Sequence, residues 1–194
     1  MFTGLVQKKG LVVSLDEFDQ GKRLEVQTEE DFLINLKRGA SISVNGVCLT
    51  VTNFQERRVS FDVIQETLRV TNLSVVELGE AVNLERSLKF GDEIGGHILS
   101  GHISCTCEAQ KLLKEGQTEL KVTVPEDVTR YIFDKGYIAL NGVSLTVSNL
   151  DINSFSVFLI PETLNTTNLG VDKKNFLLNL ELDQNTVSLV NSKD

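Results

Sequence analysis

The chain has no tryptophan, one methionine, two prolines, two histidines and three cysteines among its 194 residues. The cysteines, Cys48, Cys105 and Cys107, are too sparse and odd in number for a disulfide framework. Cys105 and Cys107 flank Thr106, but no second cysteine pair exists and only two histidines are there to complete a zinc sphere. They read instead as alternate residues of a strand, with both thiols on one face. Basic residues are also few: 19 Lys and Arg stand against 27 Asp and Glu, a net charge of −8. That charge repels a phosphate backbone, and no Lys/Arg run makes a local basic patch, so nucleic acid is not an expected partner. No apolar run approaches the roughly 20 residues that span a bilayer. The start, Met1-Phe2-Thr3-Gly4, lacks the basic and apolar regions of a secretory signal. The expected location is the cytoplasm, with no membrane partner. Phosphate-cradling and dinucleotide glycine motifs, the G-x-S-x-G elbow and H-E-x-x-H are missing, and no nucleotide, metal or other cofactor is expected.

What is present is a repeat. Asn45-Gly46-Val47-Cys48-Leu49-Thr50-Val51 returns as Asn141-Gly142-Val143-Ser144-Leu145-Thr146-Val147. Glu66-Thr67-Leu68, Thr71-Asn72-Leu73 and Asn83-Leu84-Glu85 return as Glu162-Thr163-Leu164, Thr167-Asn168-Leu169 and Asn179-Leu180-Glu181, each at an offset of 96. About 20 of the 44 positions from 42 to 85 are identical without a gap. Upstream the offset is 97, so Gly4-Leu5-Val6 meets Gly101-His102-Ile103, with one residue inserted in the first copy near position 40. The copies are 1–97 and 98–194, divided in Gly95-Gly96-His97. Hydrophobic residues make up 41% of the chain, enough for a core in each copy.

Val59-Ser60-Phe61-Asp62-Val63 and Phe155-Ser156-Val157-Phe158-Leu159 alternate with the period of a strand. Asn45-Gly46 and Asn141-Gly142 are tight-turn signals between apolar runs. Thr28-Glu29-Glu30-Asp31 predicts an N-terminal cap, with Phe32, Leu33 and Leu36 on one helix face; Pro125-Glu126-Asp127 predicts the equivalent helix with proline in its first turn. Short strands, turns and few helices predict an all-β chain of two similar small closed barrels.

Few side chains offer chemistry. His97 and His102 sit in a glycine-rich crossing, where they either move protons or hold the backbone; a spacing of five puts them on opposite faces of a strand. Cys48 and its counterpart Ser144 are either nucleophiles or small wall residues. Thr50 and Thr146 point the same way two positions on, making a polar strip suited to the edge of a heterocycle. Glu66-Thr67 and Glu162-Thr163 either bind a polyol or cap a short turn.

Met1-Phe2-Thr3-Gly4-Leu5-Val6, Asn45 to Val51, Gly95-Gly96-His97, Ser100-Gly101-His102 and Ile160-Pro161-Glu162-Thr163-Leu164 together resemble the riboflavin synthase (alpha chain) family, over almost the whole chain. The resemblance implies two six-stranded Greek-key barrels, each a lumazine-binding repeat. It implies a cofactor-free transferase that dismutates two 6,7-dimethyl-8-ribityllumazine molecules into riboflavin and 5-amino-6-ribitylamino-pyrimidinedione. Two copies of one substrate account for two versions of one pocket. Carried over by position, the first-copy pocket takes Gly4, Leu5, Val6, Cys48, Leu49, Thr50, Asp62, Val63, Ile64, Gln65, Glu66, Thr67, Gly101, His102 and Ile103. The second-copy pocket takes Lys135, Ser144, Leu145, Thr146, Phe158, Leu159, Ile160, Pro161, Glu162 and Thr163. His102, Cys48 and Ser144 are the expected catalytic residues: His102 to shuttle a proton from the acidic 7-methyl group, Cys48 or Ser144 to position or supply a nucleophile at C7 of the other ring.

The resemblance also implies a homotrimer, in which the first barrel of one subunit meets the second barrel of another, and lumazine synthase as a partner. The chain departs from the family pattern after Glu181, where 13 residues remain in place of a long amphipathic helix. Thr186-Val187-Ser188-Leu189-Val190 is β-branched and a poor helix former. The expectation is therefore a short tail and a weakened, concentration-dependent oligomer. The lumazine and flavin antenna proteins of luminous bacteria are non-catalytic relatives with similarly short tails, and supply the alternative reading; motifs intact in both copies favour the enzyme.

Overall fold

The repeat folds as two copies of one strand plan. The computed structural model describes residues 1–192. The first half contains β1 (Lys8–Phe18), β2 (Gly21–Gln27), β3 (Ser41–Val44), β4 (Val47–Gln55), β5 (Arg58–Ile64) and β6 (Ala81–Arg86). They close into an antiparallel barrel in the Greek-key order β1-β2-β5-β4-β3-β6. The second half contains β7 (Cys105–Lys114), β8 (Gln117–Thr123), β9 (Tyr137–Leu140), β10 (Val143–Thr146), β11 (Ser154–Leu159) and β12 (Asn175–Leu182). Their order, β10-β9-β12-β7-β8-β11, is the first plan advanced by six strands. Its seam between β10 and β11 carries one isolated bridge, Ser148 with Ser156. The seam is loose because β10 ends early. Asn149 turns at φ +48°, and the Asp151 carboxylate accepts from the Ile152 amide, drawing the chain into a local turn instead of a ladder.

Alternation decides what each barrel buries. Leu24, Val26, Ile42, Phe61 and Leu84 fill the first; Leu120, Leu140, Phe155, Leu178 and Leu180 fill the second. Cys107 and the half-buried Cys105 both face this second core, which pushes the Cys105 thiol up to about 11 and Cys107 higher still.

The barrels meet through asparagines. Asn45 and Asn141 adopt positive φ in the expected tight turns, ahead of Gly46 and Gly142. These turns abut: a Cβ on Gly46 would lie 2.8 Å from the Gly142 nitrogen, and one on Gly142 2.8 Å from the Gly46 nitrogen. Around them, buried Asn179 donates to the Asn45 carbonyl (2.8 Å) and Asn83 to the Asn141 carbonyl (2.9 Å). The amide of Asn72 donates to Asn179 Oδ1 and that of Asn168 to Asn83 Oδ1, both at 2.7 Å. Every one of these bonds crosses from one half to the other.

Helices are short: α1 (Glu30–Leu33), α2 (Gln65–Val70), α3 (Glu126–Thr129), α4 (Pro161–Thr166) and α5 (Gln184–Asn191). Three expectations fail locally. Thr28 does not cap α1; its hydroxyl is buried without a hydrogen-bond partner, and the helix ends before Leu36 because Asn35 turns at φ +57°. Pro125 stands at the cap of α3, one residue before its first turn. The tail, read as a poor helix former, is helical. Asp183 caps α5 by accepting from the amides of Asn185 and Thr186, and Val187 packs on the second core. Capping and one apolar anchor outweigh the weak propensity of the β-branched run.

Candidate functional site

The first residues of the chain do not stay on their own barrel. Phe2 exchanges both backbone hydrogen bonds with Leu99, tying the N-terminal segment to the glycine-rich crossing. Phe2, Leu99 and Ala139 form a small buried cluster, against which Cys48 packs. From there residues 3–6 run over the second barrel. The Gly4 carbonyl accepts from the Ser144 amide at 2.8 Å, and Val6 packs on the second core. Residues 100–103 do the converse: the Gly101 carbonyl accepts from the Cys48 amide at 2.9 Å, and Ile103 packs on the first core. Both glycines are required by proximity. A Cβ on Gly4 would stand 2.6 Å from Ser144 Cβ, and one on Gly101 2.5 Å from Cys48 Cβ.

This corrects one grouping. Gly4, Leu5 and Val6 belong beside Ser144 on the second barrel, not with Cys48 on the first. The period and offset of the repeat are blind to such an exchange of segments.

Two carboxylates hold the exchanged turns. Glu85 on β6 is buried and accepts from the Thr3 amide (2.6 Å), the Thr3 hydroxyl (2.7 Å) and the Gly4 amide (3.1 Å). Glu181 on β12 is buried and accepts from the Ser100 amide (2.7 Å), the Ser100 hydroxyl (2.6 Å) and the Gly101 amide (3.1 Å). Burial pushes both carboxyl groups above the usual carboxylate range, against the pull of these donors.

The crossing is irregular rather than a strand, so His97 and His102 are not set by strand alternation. His97 is buried, its ring stacked on Tyr137 with centroids 5.0 Å apart, and its Nδ1 lies 2.7 Å from Ser144 Oγ. Burial holds its pKa below the ordinary histidine value; Nδ1 shares a hydrogen bond with the Ser144 hydroxyl, and the buried Nε2 has no partner. His102 is exposed, and its amide donates to Ser100 Oγ at 3.2 Å, one residue past the Gly101 seated on Cys48.

Along the first strip, Cys48 is half-buried and Thr50 exposed, with Leu49 turned into the core. Val51 stands opposite Phe61, which sets Thr50 and Asp62 side by side just past the end of the ladder. Val63 is in the core; Ile64, Gln65 and Glu66 are exposed at the start of α2, and Thr67 is half-buried. Asp62 is already engaged by Arg23 at 2.7 Å, and Glu66 by Arg69 at 2.6 Å. Along the second strip Ser144 is half-buried, Thr146 exposed and Leu145 in the core. Phe158, Ile160, Pro161 and Glu162 are exposed, Leu159 is buried and Thr163 is half-buried. Lys135, at φ +63°, reaches Ser148 Oγ at 3.4 Å. Among the described residues no group of three or more His, Cys, Asp or Glu is placed to hold a metal ion, and no helix is long and apolar enough to cross a membrane.

Sequence reasoning passed over Glu85, Glu181, Thr3, Ser100 and Tyr137, and left His97 undecided. A signal was there: Asn83 and Glu85 recur as Asn179 and Glu181, each alternating with buried apolar residues, Val82 and Leu84 in β6, Leu178 and Leu180 in β12. A polar residue repeated in a core strand requires a fixed partner.

The lumazine binding domain family matches this chain twice, over residues 3–87 and 100–183. The riboflavin synthase of Escherichia coli (strain K12) is 43% identical over 194 residues, 99% of this chain and 91% of that protein. That of Chlamydia pneumoniae is 41% identical over 186 residues, 96% of this chain and 92% of that protein. Among solved structures, LumP complexed with riboflavin is similar at a TM-score of 0.87 and 28% identity, covering 95% of this chain and 100% of LumP. LumP complexed with 6,7-dimethyl-8-(1'-D-ribityl) lumazine matches at a TM-score of 0.85 and 26% identity, with the same coverage.

Proposed function

The chain belongs to the lumazine binding domain family over both of its halves, and from that premise we propose that it is a riboflavin synthase. It converts two molecules of 6,7-dimethyl-8-ribityllumazine into riboflavin and 5-amino-6-ribitylamino-pyrimidinedione. One observation carries the reading: the structure builds the same polar strip twice. Gly101 is seated on Cys48 in one barrel and Gly4 on Ser144 in the other. A reaction between two identical molecules needs two such sites.

The residues divide the work by environment. In the second barrel the hydrogen bond between His97 Nδ1 and Ser144 Oγ fixes the hydroxyl, which faces C7 of a bound ring. In the first barrel Cys48 faces the same position with a thiol, and exposed His102 takes the proton released by the 7-methyl group. Asp62, Glu66 and Glu162 at the strip ends bind the ribityl chain, the first two after yielding their arginines. Residues 1–97 and 98–194 serve as the two repeat units. The enzyme works in the cytoplasm as a homo-oligomer, in which the first barrel of one subunit faces the second barrel of another. Helix α5, with Leu189 exposed, supplies part of the contact, and lumazine synthase is its partner in the cell.

The test is incubation of the purified chain with the lumazine while riboflavin absorbance is followed. Riboflavin formation is the expected result. Tight binding with no riboflavin at any protein concentration would support instead the antenna reading, which the LumP likeness favours.

A further inference from the structure

Glu85 and Glu181 are in an unusual position for structural carboxylates. Each lies on a core strand at about 2–3% exposure, where an ionised group is costly unless fully hydrogen-bonded. Yet neither spends a side-chain hydrogen bond on its own barrel. All three donors to Glu85 come from Thr3 and Gly4, and all those to Glu181 from Ser100 and Gly101. Strands β6 and β12 are held by their backbone ladders, Ser43 opposite Glu85 and Ala139 opposite Glu181, without help from the carboxylates.

The held turns act elsewhere. Thr3 and Gly4, fixed by Glu85 of the first barrel, present the Gly4 carbonyl to Ser144 of the second. The Thr3 carbonyl also accepts from the His97 amide at 3.1 Å, so the same turn sets the ring bonded to Ser144. Ser100 and Gly101, fixed by Glu181 of the second barrel, present the Gly101 carbonyl to Cys48 of the first. The two paths cross.

We propose that Glu85 and Glu181 are reciprocal positioning residues, each setting the binding turn of the site in the opposite barrel. This rests on the reading of the two strips as lumazine sites. The damage from a substitution at either glutamate then appears in the barrel that does not contain it. A glutamate of merely structural value would weaken its own barrel.

The full-length chain carries reporters for both sites. Cys48 is half-buried under Gly101, while the half-buried Cys105 and the buried Cys107 have thiols pushed well up by the second core, so they react slowly and serve as blanks. The two tyrosines of the chain, Tyr131 and Tyr137, both lie in the second half; Tyr137 pairs with Thr146 and stacks on His97. We would measure Cys48 alkylation by iodoacetamide and the fluorine resonance of 3-fluorotyrosine at position 137, with Tyr131 as reference. Both are read without ligand and then with riboflavin. Glu85→Gln and Glu181→Gln place an amide N–H against a donor. Thr3→Ala and Ser100→Ala remove the hydroxyl donated to each glutamate, together with its bond from the Leu5 or His102 amide, and keep the test open if the glutamine variants do not fold.

Glu181→Gln and Ser100→Ala should change ligand-free Cys48 alkylation about tenfold and leave the Tyr137 resonance in place; losing a hydrogen bond to a charged group has about that magnitude. Glu85→Gln and Thr3→Ala should shift Tyr137 and leave Cys48 alkylation within about twofold of the parent. Riboflavin affinity should fall about tenfold at the opposite site alone. Effects in the same barrel, in both barrels alike, or in neither overturn the proposal. A crossed pattern without ligand, in a chain that binds neither riboflavin nor lumazine, would uphold the positioning and overturn the function.

Discussion

The unpartnered Nε2 of His97 makes a pH prediction. His97 is buried and its pKa is lowered, so the unfolded chain binds its proton more readily than the folded one. Its contribution to stability is present above the unfolded histidine value, near 6.5, and is lost as pH falls through the folded one. Glu85 and Glu181 carry the opposite sign: raised in the fold, their contribution is present below the unfolded value, near 4.5, and is lost as pH rises through the folded ones. Urea unfolding across mildly acidic pH should show that His97→Gln loses the part of the profile that rises with pH, while Glu85→Gln loses the part that falls. Kinetics separate the other histidine. His102→Gln should reduce kcat by about 100-fold, the scale of a lost proton transfer, with a small change in KM. A raised KM with kcat unchanged would assign His102 to binding instead. Cys48→Ser should retain partial activity, because Ser144 already places a hydroxyl at the matching position; steady-state assays decide.

At the scale of elements, Asp183 decides whether the tail is a helix. Asp183→Ala removes the acceptor for two amides and for the Thr186 hydroxyl. It should cost about 1 kcal/mol of unfolding free energy and lower helical signal in far-ultraviolet circular dichroism. That cap was present in the sequence beside a run of poor helix formers, and counting propensity alone missed it. The Asn-Gly turns were legible for the opposite reason: their chemistry is complete within two residues. The strand plan was legible too, because alternation and a repeat at a fixed offset report burial directly. Glu85 and Glu181 were not legible as clamps. A glutamate on a strand is ordinarily exposed, and only the turn arriving from 82 positions away in sequence, Thr3 to Glu85, explains its burial. The exchange of residues 3–6 and 100–103 was invisible for the same reason.

At the scale of the whole molecule, the asparagines join the halves into one unit. Asn179 has no exposed surface, and its side chain bonds to the Asn45 carbonyl, to Asn72 Oδ1 and to the Asn72 amide. Asn179→Ala strands buried partners on both sides and should cost at least about 2 kcal/mol. A double substitution with Asn72→Ala should cost less than the sum of the two, since both remove the same bonds. Both are read as denaturant midpoints. Assembly has its own test: specific activity should rise with protein concentration, and mixed Cys48→Ala and Ser144→Ala chains should recover activity that neither has alone. Constant specific activity at concentrations where sedimentation shows only monomer would make one chain sufficient.

The exchanged segments also fix the order in which a growing chain can finish its work. Gly4 leaves the ribosome early, but its seat at Ser144 is made 140 positions later. The turn at Ser100 and Gly101 finds Cys48 already waiting, yet its anchor, Glu181, is translated 81 positions after Ser100. Neither site is whole until both halves have emerged. A nascent chain stalled between the two barrels therefore exposes no half-built centre able to capture substrate, and competence arrives in a single step once Glu181 has emerged.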